Sequence, residues 1–126
     1  MNIFIYKVST YDQDGNLTRQ TDELGNAVRY VRDARGRVIA AVLPDGGVFT
    51  TAYDGGGRAV ADTDALGNMT RYEHDLLGRI IKITSPDPDG PGGNGPIVVD
   101  YEYDDAGNLW KETLNETIVT EYLYDN

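Results

Sequence analysis

Apolar residues return along this chain in short bursts at a fixed interval. Leu17, Val38-Ile39, Val60, Ile80-Ile81 and Leu109-Trp110 each begin a segment that a β-branched residue closes, at Thr21, Val42, Thr63, Thr84 and Thr113. A turn-forming stretch follows, and a return segment then ends at Tyr30, Thr51, Tyr72, Tyr101 and Tyr122. Turn signals about every ten residues, with β-branched and aromatic residues between them, predict one hairpin per repeat. Ile3 and Ile5 alternate with Phe4, Tyr6 and Val8, which predicts a short strand leading into the first repeat. No segment reads as a helix. About ten short antiparallel strands are expected, each repeat adding about two strand widths, or ~10 Å, to one sheet.

The turn that opens each repeat is written five times. The copies are Tyr11-Asp12-Gln13-Asp14-Gly15-Asn16-Leu17, Arg32-Asp33-Ala34-Arg35-Gly36-Arg37-Val38, Tyr53-Asp54-Gly55-Gly56-Gly57-Arg58-Ala59, His74-Asp75-Leu76-Leu77-Gly78-Arg79-Ile80 and Tyr103-Asp104-Asp105-Ala106-Gly107-Asn108-Leu109. A sixth opens at Tyr124-Asp125. The aspartates step by 21, 21, 21, 29 and 21 residues, the signature of a repeat architecture. An aspartate opening a tight turn caps backbone amides with its carboxylate, and a glycine three residues later takes a positive φ cheaply. Asp12, Gly15, Asp33, Gly36, Tyr53, Asp54, Gly57, Asp75, Gly78, Tyr103, Asp104 and Gly107 are therefore read as the structural motif. A second turn is spelled Asp22-Glu23-Leu24-Gly25-Asn26 and Asp64-Ala65-Leu66-Gly67-Asn68; the second repeat has Leu43-Pro44-Asp45-Gly46-Gly47, with proline presetting one turn residue and glycine the next. The long step comes from a Pro/Gly-rich insertion at 85–96, an exposed hairpin tip after which Ile97, Val98 and Val99 resume the strand. Residues 1–126 read as one array, with repeats starting near 12, 33, 54, 75 and 104.

Composition narrows the function. The formal charge is −10, from 21 acidic against 11 basic residues. Nucleic-acid binding and anionic-membrane binding both need clustered Lys and Arg, so neither is expected as the main role. With no cysteine there is no disulfide framework and no thiolate metal site. No apolar run approaches the length of a membrane span. Residues 1–8 lack the charged region, apolar core and cleavage site of a signal peptide.

Tyr-Asp-x-x-Gly-(Arg/Asn)-(Leu/Val) at a 21-residue step resembles the YD repeats of Rhs proteins, wall-associated polymorphic toxins and teneurins. Five copies in register carry the resemblance over nearly the whole chain. It implies a long antiparallel sheet that spirals into a hollow shell, which in bacterial members encloses a C-terminal toxin. The fold class expected here is all-β, a curved open hairpin array like a section of such a shell. The implied function is a piece of wall, exported or at the cell surface if the chain belongs to a full-length Rhs-type protein. Five repeats are too few to close a shell, so self-association or further YD repeats are the expected partners, with an enclosed toxin polypeptide as cargo. Asp87-Pro88-Asp89-Gly90-Pro91-Gly92-Gly93 echoes the family's shell-closing core motif. It lacks the leucine, is one residue short and is followed by another repeat, so it is read as a Gly/Pro loop. Neither toxin activity nor self-cleavage is carried over.

The remaining constellations are weighed against simpler readings. Asp12, Asp14, Asn16, Thr18 and Glu23 fall at EF-hand ligand positions, but Leu17 stands where the loop needs glycine and no helices flank it. The expectation is turn residues and no metal, with Asp87 and Asp89 as a weaker calcium candidate. His74, the single histidine, takes the tyrosine position of its repeat and is read as a substituted aromatic; no His pair or Ser-His-Asp arrangement exists. No cofactor and no enzyme activity are expected. Tyr30, Tyr72, Tyr101 and Tyr122 should form one ladder, and Tyr11, Tyr53, Tyr103 and Tyr124 another. Cross-strand aromatic pairs contribute roughly 0.2–1 kcal/mol each, which accounts for their recurrence without a ligand. The rival reading makes the first ladder a carbohydrate-binding strip. Trp110 is assigned to packing between the sheet and a partner.

Overall fold

A computed structural model describes residues 7–88, 90 and 95–125. Residues 3–6 of the expected leading strand at 3–8, and the candidate ligand Asp89, lie outside these residues. The described chain is all-β: β1 (Val8–Tyr11), β2 (Leu17–Thr21), β3 (Ala27–Arg32), β4 (Val38–Val42), β5 (Val48–Tyr53), β6 (Ala59–Thr63), β7 (Met69–His74), β8 (Ile80–Ser85), β9 (Ile97–Tyr103), β10 (Leu109–Leu114) and β11 (Ile118–Glu121). The strands are hydrogen-bonded in chain order in an open sheet, and among those described β1 and β11 end that order. The chain forms two compact units, residues 1–52 with 63–67 and residues 53–62 with 68–126.

In the first unit β1 to β5 pair antiparallel. Arg19, Gln20 and Thr21 of β2 face Arg29, Val28 and Ala27 of β3, and Tyr30 of β3 faces Ala41 of β4, which in turn faces Phe49 of β5. Side chains alternate between faces along a strand, so Gln20, Val28, Tyr30, Ala41 and Phe49 share one face and Arg19, Arg29, Val42 and Val48 the other. A Cβ at Gly47 would stand 3.0 Å from the Ala65 Cβ.

In the second unit Tyr72 faces Ile83, Ile83 faces Val99, Val99 faces Leu114 and Leu114 faces Ile118, giving one apolar row across β7 to β11. On the opposite face Glu73 meets Lys82 and Lys82 meets Asp100, while Glu102 meets Lys111 and Lys111 meets Glu121. Two of these contacts are ion pairs, Lys82 Nζ to Asp100 at 3.3 Å and Lys111 Nζ to Glu102 at 2.9 Å. Opposite charges across a strand pair contribute about 0.2–1 kcal/mol each. Neither unit has a second layer among the described residues, and none of those residues is buried.

Simple alternation misses one regular feature. Register shifts occur between Thr10 and Tyr11, Val31 and Arg32, Glu73 and His74, and Leu109 and Lys111. At the second and third shifts Ile39 and Ile81 are the extra residues, and at the fourth it is Trp110. Each bulge sets two residues of one strand against one of its partner. The doubled apolar pairs Val38-Ile39, Ile80-Ile81 and Leu109-Trp110 are these bulges. The return strands also run two residues further than the sequence suggested, to Arg32, Tyr53, His74 and Tyr103.

The final hairpin departs from the repeat. Asn115 and Glu116 have φ of 48° and 59°, and the Thr117 N–H donates to the Leu114 carbonyl at 3.0 Å. Positive φ at both central residues is the type I′ pattern, which Asn tolerates and Glu does not. Glu116→Gly is expected to stabilise the chain by roughly 1 kcal/mol, seen as a melting midpoint a few degrees higher. An unchanged or lower midpoint would show that this turn carries no strain.

Candidate functional site

The repeat motif builds a hydrogen-bonded turn that closes on itself. In the last copy the Asp104 N–H donates to the Asn108 carbonyl at 2.8 Å, and the Gly107 N–H to the Asp104 carbonyl at 2.9 Å. The Asp104 carboxylate accepts the Asn108 N–H at 2.8 Å and the Asn108 side-chain amide at 3.2 Å. Gly107 has φ 88°, so the loop is a three-residue type I turn with a left-handed bulge residue, a position that strains any side chain. Asp12, Asp33, Asp54 and Asp75 hold the same geometry through Gly15, Gly36, Gly57 and Gly78. The turn at 22–26 uses it too, and at 64–67 the Gly67 N–H likewise donates to the Asp64 carbonyl at 3.0 Å. At 43–47 Leu43 replaces the opening acid, and the Asp45 carboxylate takes the Gly47 N–H at 2.8 Å. There the left-handed residue is Gly46, two beyond Pro44 rather than next to it.

Where the fifth turn residue is arginine, an ion pair replaces the amide contact: Arg37 to Asp33 at 2.7 Å and Arg79 to Asp75 at 2.7 Å. These arginines also reach along the array. The Arg58 guanidinium donates to the Asp75 carbonyl at 3.1 Å, and the Arg79 guanidinium lies 4.4 Å from the centre of the Tyr103 ring.

At three of the motif's leading positions the residue before the aspartate fastens one repeat to its predecessor. The Tyr103 hydroxyl donates to the Ile80 carbonyl at 2.7 Å, and the Tyr124 hydroxyl to the Leu109 carbonyl at 2.6 Å. Arg32, in place of tyrosine, donates to the Leu17 carbonyl at 3.1 Å and to the Gly36 carbonyl at 2.8 Å. Leu17, Ile80 and Leu109 each lie five residues past their aspartate, at the bulge. The tyrosine supplies a donor to a backbone oxygen beside the broken ladder. This hydroxyl role was missed from sequence, which gave these tyrosines to ring stacking. Arginine at position 32 was the available clue, since the two side chains share only a donor at reach. His74 ends β7 half-buried, facing Ile80.

In the described strand pairs Tyr30, Tyr72 and Tyr101 do not face another tyrosine. Tyr30 faces Ala41, Tyr72 faces Ile83 and Tyr101 faces Glu112, and Tyr122 follows β11, its N–H donating to the Trp110 carbonyl at 2.8 Å. Carboxylates accompany them. The Tyr72 hydroxyl donates to Asp62 at 3.0 Å, and partial burial first, then Asp62, pushes its ionisation up. Burial and then Glu112 do the same to Tyr101 and Tyr122. All three phenols therefore stay protonated donors. Trp110 is half-buried, with Lys111 Nζ 5.5 Å from its ring centre.

The calcium geometry does not converge. Both Asp12 carboxylate oxygens accept from Asn16, at 2.9–3.2 Å, and the Thr18 hydroxyl donates to the Thr10 carbonyl at 3.0 Å. Among the described residues no cluster of three acids or histidines could hold a metal. In the insertion the Asp87 carbonyl accepts the Gly90 N–H at 3.4 Å.

The fold and its self-closing turns define a β-hairpin repeat protein of structural type. The chain belongs to the RHS Repeat family, whose model matches residues 11–48 and 53–89. Solved structures share the fold, among them the following two. One is a Photorhabdus luminescens Tc holotoxin pore with a TccC3 variant, 24% identical over 86% of this chain with a TM-score of 0.70. The other is a TcdB2–TccC3 complex without its hypervariable C-terminal region, 24% identical over 88% with a TM-score of 0.73. The chain spans only 5% of the length of each. None of the curated proteins matches it.

Two outcomes test the site. Tyr103→Phe keeps the ring against Arg79 and removes the donor to Ile80, so a loss of about 1 kcal/mol is expected in chemical denaturation. No loss would mean that the hydroxyl bond is replaced by water. For pH, hydrogen bonds from the fifth turn residue hold Asp12, Asp22, Asp33, Asp54 and Asp104 below the ordinary carboxylate value of 3.8, and Asp75 is also lowered despite opposing desolvation. Folded carboxyls that titrate below their unfolded value stabilise the fold above that value, and the contribution is lost as pH falls through the lowered ones. The melting midpoint should therefore drop below about pH 4, and a midpoint that is flat down to pH 2 would contradict this.

Proposed function

We propose that this chain is a non-catalytic section of an Rhs-type β-shell, a wall that encloses or displays a toxin or other polypeptide. The observation that carries the reading is the hairpin array with no second layer and no buried residue among those described. Its register is held by turns and ladder bonds rather than by a core. Such a sheet gains by continuing, since strands at the ends of its order present unpaired backbone groups. The repeated carboxylates serve the turns: Asp12, Asp33, Asp54, Asp75 and Asp104 are each engaged by their own loop.

A second reading is a carbohydrate-binding surface. The pairing of Tyr72 with Asp62, and of Tyr101 and Tyr122 with Glu112, favours it, because a ring beside a carboxylate suits a sugar's apolar face and hydroxyls. Light scattering across a concentration series, run beside a glycan array, separates the two. The wall reading expects species larger than one chain that grow with concentration, and no saturable glycan. A monomer that binds a glycan, with the affinity lost in Tyr101→Ala, would replace it with the second reading.

A further inference from the structure

The face of the first unit that carries β2 and β3 holds an unbalanced pair of cations. Arg19 and Arg29 stand directly opposite each other in the register, both exposed. Like charges in that position destabilise a strand pair. Neither guanidinium has a hydrogen bond or ion pair among the described residues, although the chain carries 21 acids. The second unit treats its cross-strand cations differently, matching Lys82 with Asp100 and Lys111 with Glu102. Asp22, at the end of the same hairpin, has its carboxylate occupied by Leu24 and Asn26 N–H groups at 2.9 Å.

The two arginines also line a cavity of about 380 Å³. Its wall continues through Asn26 to Val42, Leu43 and Pro44. Val42 faces Arg29 across the next strand pair, so an aliphatic surface lies beside the cations on the same face. Guanidinium groups bind carboxylates through paired N–H donors in a fork that lysine cannot offer. The arrangement therefore has a charged end for an oxyanion, with Val42 as its aliphatic neighbour on the same face.

We propose that Arg19 and Arg29 form a carboxylate-binding site that takes an acidic side chain of a polypeptide, with Val42 against the apolar residue next to it. The site is independent of the wall reading and stands on the geometry of one unit. It requires neither a closed shell nor an oligomer. The retained repulsion between the arginines is relieved when the carboxylate arrives.

The test uses the whole chain, labelled with nitrogen-15, and follows the arginine Nε–H resonances. The probe is the Glu-Leu dipeptide, acetylated and amidated at its ends. The Gln-Leu analogue, inorganic phosphate and sodium chloride at matched ionic strength are titrated separately. Saturable shifts at Arg19 and Arg29 with Glu-Leu are expected, at least tenfold weaker with Gln-Leu. Arg19→Gln and Arg29→Gln should each weaken binding at least tenfold, while Arg35→Gln, an equal charge change on a turn, should not. Without peptide, Arg29→Gln should melt no lower than the parent. Equal responses to Glu-Leu and chloride would overturn the site, as would equal weakening by Arg35→Gln. Phosphate binding without peptide binding would overturn the carboxylate assignment. A markedly lower melting point in Arg29→Gln would make the pair a structural element instead.

Discussion

Each repeat begins with one aspartate carboxylate that accepts the backbone N–H groups its own turn leaves unpaired. In the first copy Asp12 takes the N–H of Asp14 and of Asn16, both at 2.9 Å. The rest of the structure depends on this closure. A domain with a core fixes strand register by burying one face, and a one-residue slip then exposes it. Here no described residue is buried, so register has to be set locally, at the turn and at the bulge that follows it. The turn glycine and the carboxylate fix where the two strands start, and the bulge fixes how they continue.

Bulges create a second requirement. An interrupted ladder leaves backbone groups short of partners, and unpaired polar groups are costly unless water or a side chain reaches them. The side chain before the next aspartate reaches them. Tyr103, Tyr124 and Arg32 all donate to the carbonyl five residues past an aspartate, in the preceding repeat. The tyrosine and the aspartate of the motif thus do different jobs. The aspartate closes a loop within its own repeat, and the tyrosine joins that repeat to the one before. Arginine at the fifth turn position adds a further joint, as Arg58 does to the Asp75 carbonyl and Arg79 to the Tyr103 ring. Stability of this kind is nearest-neighbour and approximately additive over repeats, which suits a sheet that lengthens by adding hairpins.

The proposed function rests on the two faces of such a sheet. In the second unit one face carries an apolar row from Tyr72 through Ile83 and Val99 to Leu114, and the other carries alternating charges. Among the described residues these two chemically distinct faces have no covering layer, and the wall role proposed above rests on them. The first unit breaks the pattern with the opposed Arg19 and Arg29, and that is where a ligand is proposed.

Period, turn chemistry and fold class were legible in the sequence because they are local: Asp12 to Gly15 spans one turn, and the spacing of the aspartates repeats it. The family resemblance rests on the same residues. Long-range pairing was not legible. Doubled apolar residues such as Ile80-Ile81 looked like ordinary strand positions, because a bulge is defined only by the strand across from it. The Tyr103 hydroxyl had no visible purpose until Ile80, in another repeat, was placed beside it. Arg19 and Arg29, ten residues apart, became neighbours only through a register that the turn at 22–26 imposes. The sequence by itself determined the hairpins, since each turn contains all the groups it needs. Only the tertiary structure decided which side chains meet, since that depends on strand register and on bulges that no single hairpin specifies.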